Sequence, residues 1–146
     1  MVKNYKNVKV QVSSGGIRTI TIDHPKTYNS LSFETLRSLL NIFKMLDKDI
    51  SAKVIILEGA GKGFSAGHNL KEVRGLKKRS KYLKLFNLCS KLMTQIVEGK
   101  KPVIAKVHGS AYAAGCQLVA SCDLAYSSRD AMFATPGVNI GIFCST

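Results

Sequence analysis

Two short segments near the start of the chain alternate apolar and polar residues, which is the pattern of half-buried strands. They are Val8–Val12 and Ile17–Ile22, and the turn-forming residues Ser13–Gly16 separate them. Asp23–Pro25 then interrupts the alternation, because proline cannot donate to a strand ladder. This pattern predicts a β-hairpin followed by a break.

Further along, apolar residues recur every three or four positions, as they do on the buried side of a helix. One helix is predicted after Ser32, a good N-cap, and a second over Tyr82–Val97, ended by Gly99 and Pro102. A third helix, of small residues, is predicted over Ala113–Cys122. The apolar positions of the first two helices are Leu36, Leu39, Leu40, Phe43 and Leu46, then Leu85, Leu88, Cys89, Leu92, Met93 and Ile96.

Short apolar runs between these helices predict buried strands, a basic helix start after Ala66, and a loop over Gly109–Tyr112. The resulting order repeats strand, short strand and helix, so we expect an α/β fold built of ββα units. We expect no helix to cover the sheet near Phe143–Thr146. We therefore interpret residues 1–146 as the N-terminal core of a single, incomplete domain, with a domain completed by a partner as the alternative. The predicted strands and short extended pieces are Lys53–Glu58, Phe64–Ala66, Val103–Val107, Asp123–Ser127 and Met132–Ala134.

Composition excludes several classes of protein. With 45% hydrophobic and 21% charged residues, the chain is neither disordered nor of low complexity. No apolar run approaches the ~18 residues of a membrane span. The cysteines lie in apolar contexts without a Cys-x-x-Cys pair, so we expect buried thiols rather than disulfides, and no metal site. They are Cys89, Cys116, Cys122 and Cys144.

The net charge of +13 is concentrated in residues 71–84, which hold seven Lys or Arg against Glu72 alone. Such a segment attracts anions: nucleic acid, a membrane surface or a phosphorylated small molecule. A solvated helix face is the favoured interpretation. RNA binding is disfavoured because aromatic residues do not alternate with the basic ones.

Glycines follow the strand at Lys53–Glu58 in a pattern that superficially resembles nucleotide-binding motifs. Gly61-x-Gly63-x-x-Ala66 lacks the acidic residue about 20 positions on that binds a ribose, and Gly61-Lys62 lacks the following Ser or Thr of a P-loop. Nucleotide binding of either kind is therefore disfavoured.

Two stretches of small residues each follow a strand and lead into a helix: residues 63–72 (GFSAGHNLKE) and 101–117 (KPVIAKVHGSAYAAGCQ). The first backbone N–H groups of a helix have no intrahelical partner and carry a favourable dipole. Two such donors that converge on one point form an oxyanion hole. The alternative is that the small residues only allow close packing.

Together these stretches resemble the crotonase family, also called the enoyl-CoA hydratase/isomerase family. The resemblance runs from about Ile17 to the end of the chain and implies a crotonase-like spiral of ββα units that lacks the family's C-terminal helical region. It includes residues 23–31 (DHPKTYNSL), 64–72 (FSAGHNLKE), 101–105 (KPVIA), 122–125 (CDLA) and 133–141 (FATPGVNIG).

The resemblance implies a role for particular residues. The backbone N–H groups of His68 and Ala114 correspond to the donors that hold the thioester carbonyl as an enolate forms. Lys26 and Lys62 correspond to cations near the CoA phosphates. No cofactor is implied beyond the CoA of the acyl-CoA substrate. The implied substrate-binding residues are Lys26, Lys62, Ala66, His68, Asn69, Leu70, Lys71 and Ala114.

The chain departs from the family where hydration chemistry needs its two glutamates, since Gln117 and Gly137 occupy those positions. General acid–base groups each supply about 10²–10⁴ in rate, so we expect little hydratase activity. Three functions follow: an acyl-CoA enzyme of fatty-acid metabolism that relies on its oxyanion hole, a non-catalytic acyl-CoA-binding or assembly relative, and an anion- or RNA-binding module.

The resemblance also implies partners and a compartment. We expect the full-length form to be a homo-oligomer, a trimer or hexamer, without a membrane span and without nucleic acid as partner. The family resemblance favours a mitochondrial location. The cytoplasm is the alternative, because the N-terminal segment does not look like a transit peptide.

Overall fold

The computed structural model of the protein describes residues 1–141, so the expectations for Phe143–Thr146 and Cys144 lie outside the described residues. A six-stranded sheet has the order β1-β2-β3-β4-β5-β7. The first three strands are antiparallel, and β3, β4, β5 and β7 run parallel. Their bounds are Val2–Tyr5, Val8–Val12, Ile17–Ile22, Val54–Gly59, Val103–Val107 and Leu124–Ser127.

A second, two-stranded parallel sheet pairs β6 (Ser110–Tyr112) with β8 (Met132–Ala134). The prediction of a loop over Gly109–Tyr112 is therefore wrong, because the partner strand lies far away in sequence and supplies the missing hydrogen bonds. Ser65 adds an isolated bridge to Ala111 in β6. The predicted α/β fold of ββα units is confirmed.

Helix α1 (Phe33–Lys48) follows its predicted cap. Ser32 Oγ accepts a hydrogen bond from the backbone N–H of Thr35 at 3.2 Å, which satisfies one of the unpaired donors of the first turn. Its predicted apolar positions are all buried. The N-cap and the periodicity of apolar residues thus predict the same helix, and the helix forms there.

Two helices occupy residues 70–97. The short helix α2 (Leu70–Gly75) is the predicted basic helix start, and α3 spans Arg79–Val97. The prediction placed the start of α3 at Tyr82, three residues late, because the first turn is polar and exposed. Of the apolar positions predicted for α3, only Leu88 is not fully buried.

The last helix, α4, covers Ala114–Ala120, a shorter span than the predicted Ala113–Cys122. Helices α1 and α3 contact each other and share one core with the buried side of the sheet. In contrast, β7 and β8 are exposed along their whole length, including Tyr126 and Phe133. Apolar side chains of both strands are therefore exposed at this edge of the sheet.

Candidate functional site

The turns that follow β3 and β4 lie side by side at the carboxyl ends of the parallel strands, where open α/β sheets bind ligands. Asn29 joins them, because its buried amide donates to the carbonyl oxygens of Ala60 at 2.7 Å and Gly63 at 2.9 Å. Its Oδ1 accepts from the backbone N–H of His24 at 2.9 Å. Asn29 has a φ of 54°, a left-handed conformation that asparagine tolerates.

This junction brings the two predicted phosphate-binding lysines onto neighbouring turns. Pro25 abuts Gly61: a Cβ atom on Gly61 would lie 2.7 Å from Cβ of Pro25. Lys26 and Lys62 come directly after these two residues, and both are exposed. The site therefore carries two cations at one edge.

The two small-residue stretches are hydrogen-bonded to each other. The N–H of Ser65 donates to the carbonyl of Ser110 at 3.0 Å, and the N–H of Tyr112 donates to the carbonyl of Ser65 at 2.9 Å. A Cβ atom on Gly115 would collide with Ser65, so only glycine lets α4 approach this closely. The backbones of the two stretches thus lie side by side in direct contact.

Gly67 packs directly against the start of α4. Gly67 has a φ of +84°, and a Cβ atom there would lie 3.1 Å from the backbone nitrogen of Ala114. The carbonyl of Gly67 is occupied, because it accepts from the N–H of Leu31 at 2.7 Å. The next residue, His68, therefore lies beside the start of α4.

The backbone N–H groups of His68 and Ala114 have no hydrogen-bond partner within residues 1–141. Ala114 is the first residue of α4, where an N–H has no intrahelical acceptor. Unused backbone donors of this kind stabilise a carbonyl or anionic oxygen where two of them converge on one point.

Ala113, just before this donor, has an unusual backbone. Its φ of 49° and ψ of −122° are disfavoured for any residue with a Cβ atom. Its N–H donates to the carbonyl of Ala134 in β8 at 2.8 Å, which helps hold the conformation. The strain therefore lies next to the N–H of Ala114.

The imidazole of His68 packs against α3 rather than forming part of a hydrogen-bond network. It meets the ring of Phe86 edge-on, with centroids 5.2 Å apart and planes at 85°. Burial lowers the pKa of His68 below its ordinary value, while the nearby Leu31 carbonyl opposes the shift. Neither ring nitrogen has a well-aligned hydrogen-bond partner in the described part of the chain. The neutral ring is thus favoured.

The other predicted substrate-binding residues lie around the start of α2. Asn69 caps this helix, since its Oδ1 accepts from the N–H groups of Lys71 at 3.1 Å and Glu72 at 3.2 Å. Ala66, Leu70 and Lys71 are exposed. The amide of Asn69 therefore has a structural partner, while the other three present free surface.

Gln117 lies one turn after Ala114 on α4 and is half-buried. Gly137 lies in the buried part of a 3₁₀ segment, Pro136–Ile140. Within residues 1–141 no three His, Cys, Asp or Glu side chains are grouped as metal ligands. Of the predicted buried thiols, Cys89 is buried, whereas Cys116 and Cys122 are half-buried.

Sequence reasoning missed two residues that shape this site, Asn29 and Ala113. The signal for Asn29 is an asparagine within a turn, where a left-handed conformation is common. Ala113 carries no such signal, because alanine normally avoids a positive φ.

A family model for enoyl-CoA hydratase/isomerase matches residues 13–146. The chain belongs to the enoyl-CoA hydratase/isomerase family. It is 47% identical over 131 residues to "Enoyl-CoA hydratase domain-containing protein 3, mitochondrial" of Xenopus laevis, and 48% identical to the protein of that name from Homo sapiens. These matches cover 90% of the chain but 45% and 43% of the relatives, so it spans less than half their length.

Solved structures of the family agree with this fold. An enoyl-CoA hydratase from Mycobacterium smegmatis matches with a TM-score of 0.93 at 45% identity, covering 96% of the chain and 55% of that structure. Human enoyl-CoA hydratase domain-containing protein 3 matches with a TM-score of 0.91 at 44% identity, with the same coverage. No helix among the described residues is long and apolar enough to cross a bilayer.

Proposed function

We propose that the protein binds acyl-CoA thioesters, with the thioester oxygen between the backbone N–H groups of His68 and Ala114. The observation that carries this proposal is that both donors lack partners and lie on adjoining backbones. A fixed pair of donors stabilises the negative charge of an enolate without reorganisation.

The CoA portion extends from this point across exposed surface. Ala66, Leu70 and Lys71 line its path, together with the backbone around Asn69. Lys26 and Lys62, on their joined turns, attract the phosphates. Exposed cations of this kind act mainly over about one Debye length, ~8 Å at physiological salt. CoA is part of the substrate, and no further cofactor is proposed.

The reaction we favour places negative charge on the thioester oxygen and needs few side chains, such as decarboxylation through an enolate, or thioester cleavage in which water adds to the carbonyl and CoA thiolate leaves, in fatty-acid metabolism. Hydration is disfavoured, because it needs a proton donor and acceptor around one water. A glutamine amide at 117 does not exchange protons near neutral pH, and Gly137 has no side chain. The neutral, packed ring of His68 does not replace them.

A second candidate is a non-catalytic relative that binds acyl-CoA and regulates or completes an assembly. The residues Gln117 and Gly137 favour this candidate, because binding uses the backbone donors and does not need the two glutamates that these residues replace. The full-length protein would then join a homo-oligomer, a trimer or hexamer. A mitochondrial location is favoured by the names of the relatives, with the cytoplasm as the alternative.

The first test is calorimetric titration of the chain with acetoacetyl-CoA, whose enolate places charge on the thioester oxygen. His68→Pro removes the backbone donor, whereas His68→Gln keeps the donor and replaces the ring. We expect His68→Pro to weaken binding about 10- to 100-fold, the effect of one hydrogen bond to a charged group, and His68→Gln to change it little.

Ala114→Pro provides an independent version of this test, because proline is accepted at the first position of a helix. Circular dichroism and thermal melting establish that each variant is folded. Equal binding by all variants, or no binding by the parent chain, would overturn the oxyanion-hole proposal. Turnover of a panel of malonyl-, enoyl- and saturated acyl-CoAs then separates the enzyme from the non-catalytic relative.

A further inference from the structure

Residues 73–97 contain seven Lys or Arg and no Asp or Glu. All seven are exposed, and none takes part in the ion pairs found within residues 1–141. We call this surface of α2, α3 and the segment between them the basic face. It consists of Arg74, Lys77, Lys78, Arg79, Lys81, Lys84 and Lys91. No acid lies within the segment, and Glu72, which lines one groove with Lys81 and Lys84, offsets only part of the charge of the seven cations.

Apolar surface lies among these cations. Leu83 projects from the exposed side of α3 with 47% of its surface accessible. A groove of about 200 Å³ lies between α1, α2 and α3, with Lys81 and Lys84 at its border. Its other lining residues are Phe33, Glu72, Leu76 and Leu85. The basic face thus combines cations with apolar side chains and an apolar groove.

We propose that the basic face binds the surface of an anionic phospholipid bilayer. Each Lys or Arg near such a surface strengthens partitioning about fivefold. An exposed leucine and an apolar groove suit the boundary between headgroups and acyl chains. Helix α3 would lie on the surface of the bilayer without crossing it.

RNA suits this surface less well, because bases need aromatic platforms on which to stack. Phe86, on α3, already packs edge-on against the His68 ring. Tyr82 is half-buried. The proposal concerns residues other than the proposed acyl-CoA contacts and does not depend on them.

The test is co-sedimentation of the 146-residue chain with vesicles of phosphatidylcholine and phosphatidylserine, compared with phosphatidylcholine alone. We expect binding only to the anionic vesicles, weakening as salt rises. The triple variant Lys78→Gln, Lys81→Gln, Lys84→Gln should bind on the order of 100-fold more weakly. The matched control, Lys3→Gln, Lys6→Gln, Lys44→Gln, makes the same change in net charge at exposed positions elsewhere and should bind within a few-fold of the parent.

Two further arms make the result decisive. Leu83→Ser should weaken vesicle binding while it leaves the charge unchanged, and Lys26→Gln with Lys62→Gln should have little effect on vesicle binding. Equal losses in the triple variant and its control would overturn the proposal, since net charge alone would then explain binding. Tight binding of a single-stranded RNA by a chain that ignores anionic vesicles would also overturn it.

Discussion

The carboxylate of Glu72 in α2 accepts a hydrogen bond at 2.9 Å from the backbone N–H of Phe33, the first residue of α1. That N–H has no intrahelical partner, and the positive end of the α1 dipole favours a negative charge there. Because α2 begins directly after His68 and Asn69, this contact fixes the proposed site to the core.

Replacing Glu72 by alanine should therefore lower the free energy of unfolding by about 2 kcal/mol, the scale of a hydrogen bond to a charged group. Urea denaturation measures this loss. Glu98→Ala, an exposed glutamate at the end of α3, is the control and should change stability by less than about 0.5 kcal/mol. Equal effects of the two changes would contradict the role given to Glu72.

Ala113 carries the strain at the site, so Ala113→Gly should stabilise the protein. A residue held in such a conformation costs on the order of 1–3 kcal/mol, and glycine removes most of that cost while it adds freedom to the unfolded chain. We expect a net gain of about 1 kcal/mol in thermal or urea unfolding. Ala120→Gly, at the other end of α4, should give no gain, and a loss of stability in Ala113→Gly would show that the strain argument is wrong.

The sequence predicts the elements whose pattern is local. Strands β2, β3 and β5 have their predicted bounds because their apolar residues alternate or form a compact run. Strand β6 was missed because Ser110–Tyr112 has no such pattern and becomes a strand only beside β8. The first strand, Val2–Tyr5, was missed because all its residues are exposed.

The candidate site could be predicted only as two separate stretches. Small residues in each indicate helix starts with unused N–H groups, and the resemblance to a family supplies the residue roles. The close approach of Gly67 to Ala114 is a property of the tertiary fold, as is the contact between Pro25 and Gly61. No spacing along the chain gives either contact.

Asn29 should be among the most sensitive positions, because it is fully buried and its amide makes three hydrogen bonds to two turns. Asn29→Ala should cost about 4 kcal/mol, since it leaves buried backbone groups unpaired and places alanine at a positive φ. Asn29→Gly should cost about 1 kcal/mol less, because glycine accepts that conformation. Urea unfolding of Asn29→Ala and Asn29→Gly separates the loss of hydrogen bonds from the cost of the positive φ. Equal losses in the two variants would show that the positive φ contributes nothing.

Asp49 should make stability depend on acid. Hydrogen bonds from the side chain and N–H of Ser51, and then the bond and charge of Arg18, lower the pKa of Asp49 from 3.8 to about 2. A lowered pKa in the folded state means that this stability is present above pH 3.8 and is lost as the pH falls towards 2. Asp49→Asn should therefore lose less stability than the parent over that interval. Urea unfolding at several pH values measures this difference. If the parent and Asp49→Asn lost stability equally, Asp49 would not contribute to the acid dependence.

His68, like Asp49, should make the protein less stable as the pH falls, but at a higher pH than Asp49 does. Burial lowers its pKa from 6.5 in the folded state, so the unfolded chain binds the proton more readily. The folded protein should thus lose stability as the pH falls through 6.5, whereas His68→Gln and His68→Leu, which cannot titrate, should show a shallower slope. Unfolding free energies measured between about pH 7 and pH 5 test this, because histidine is the side chain that ordinarily titrates there. Flattening by both variants identifies protonation as the cause, since a polar and an apolar replacement would alter packing differently; an unchanged slope would mean that the buried ring is not what the pH change acts upon.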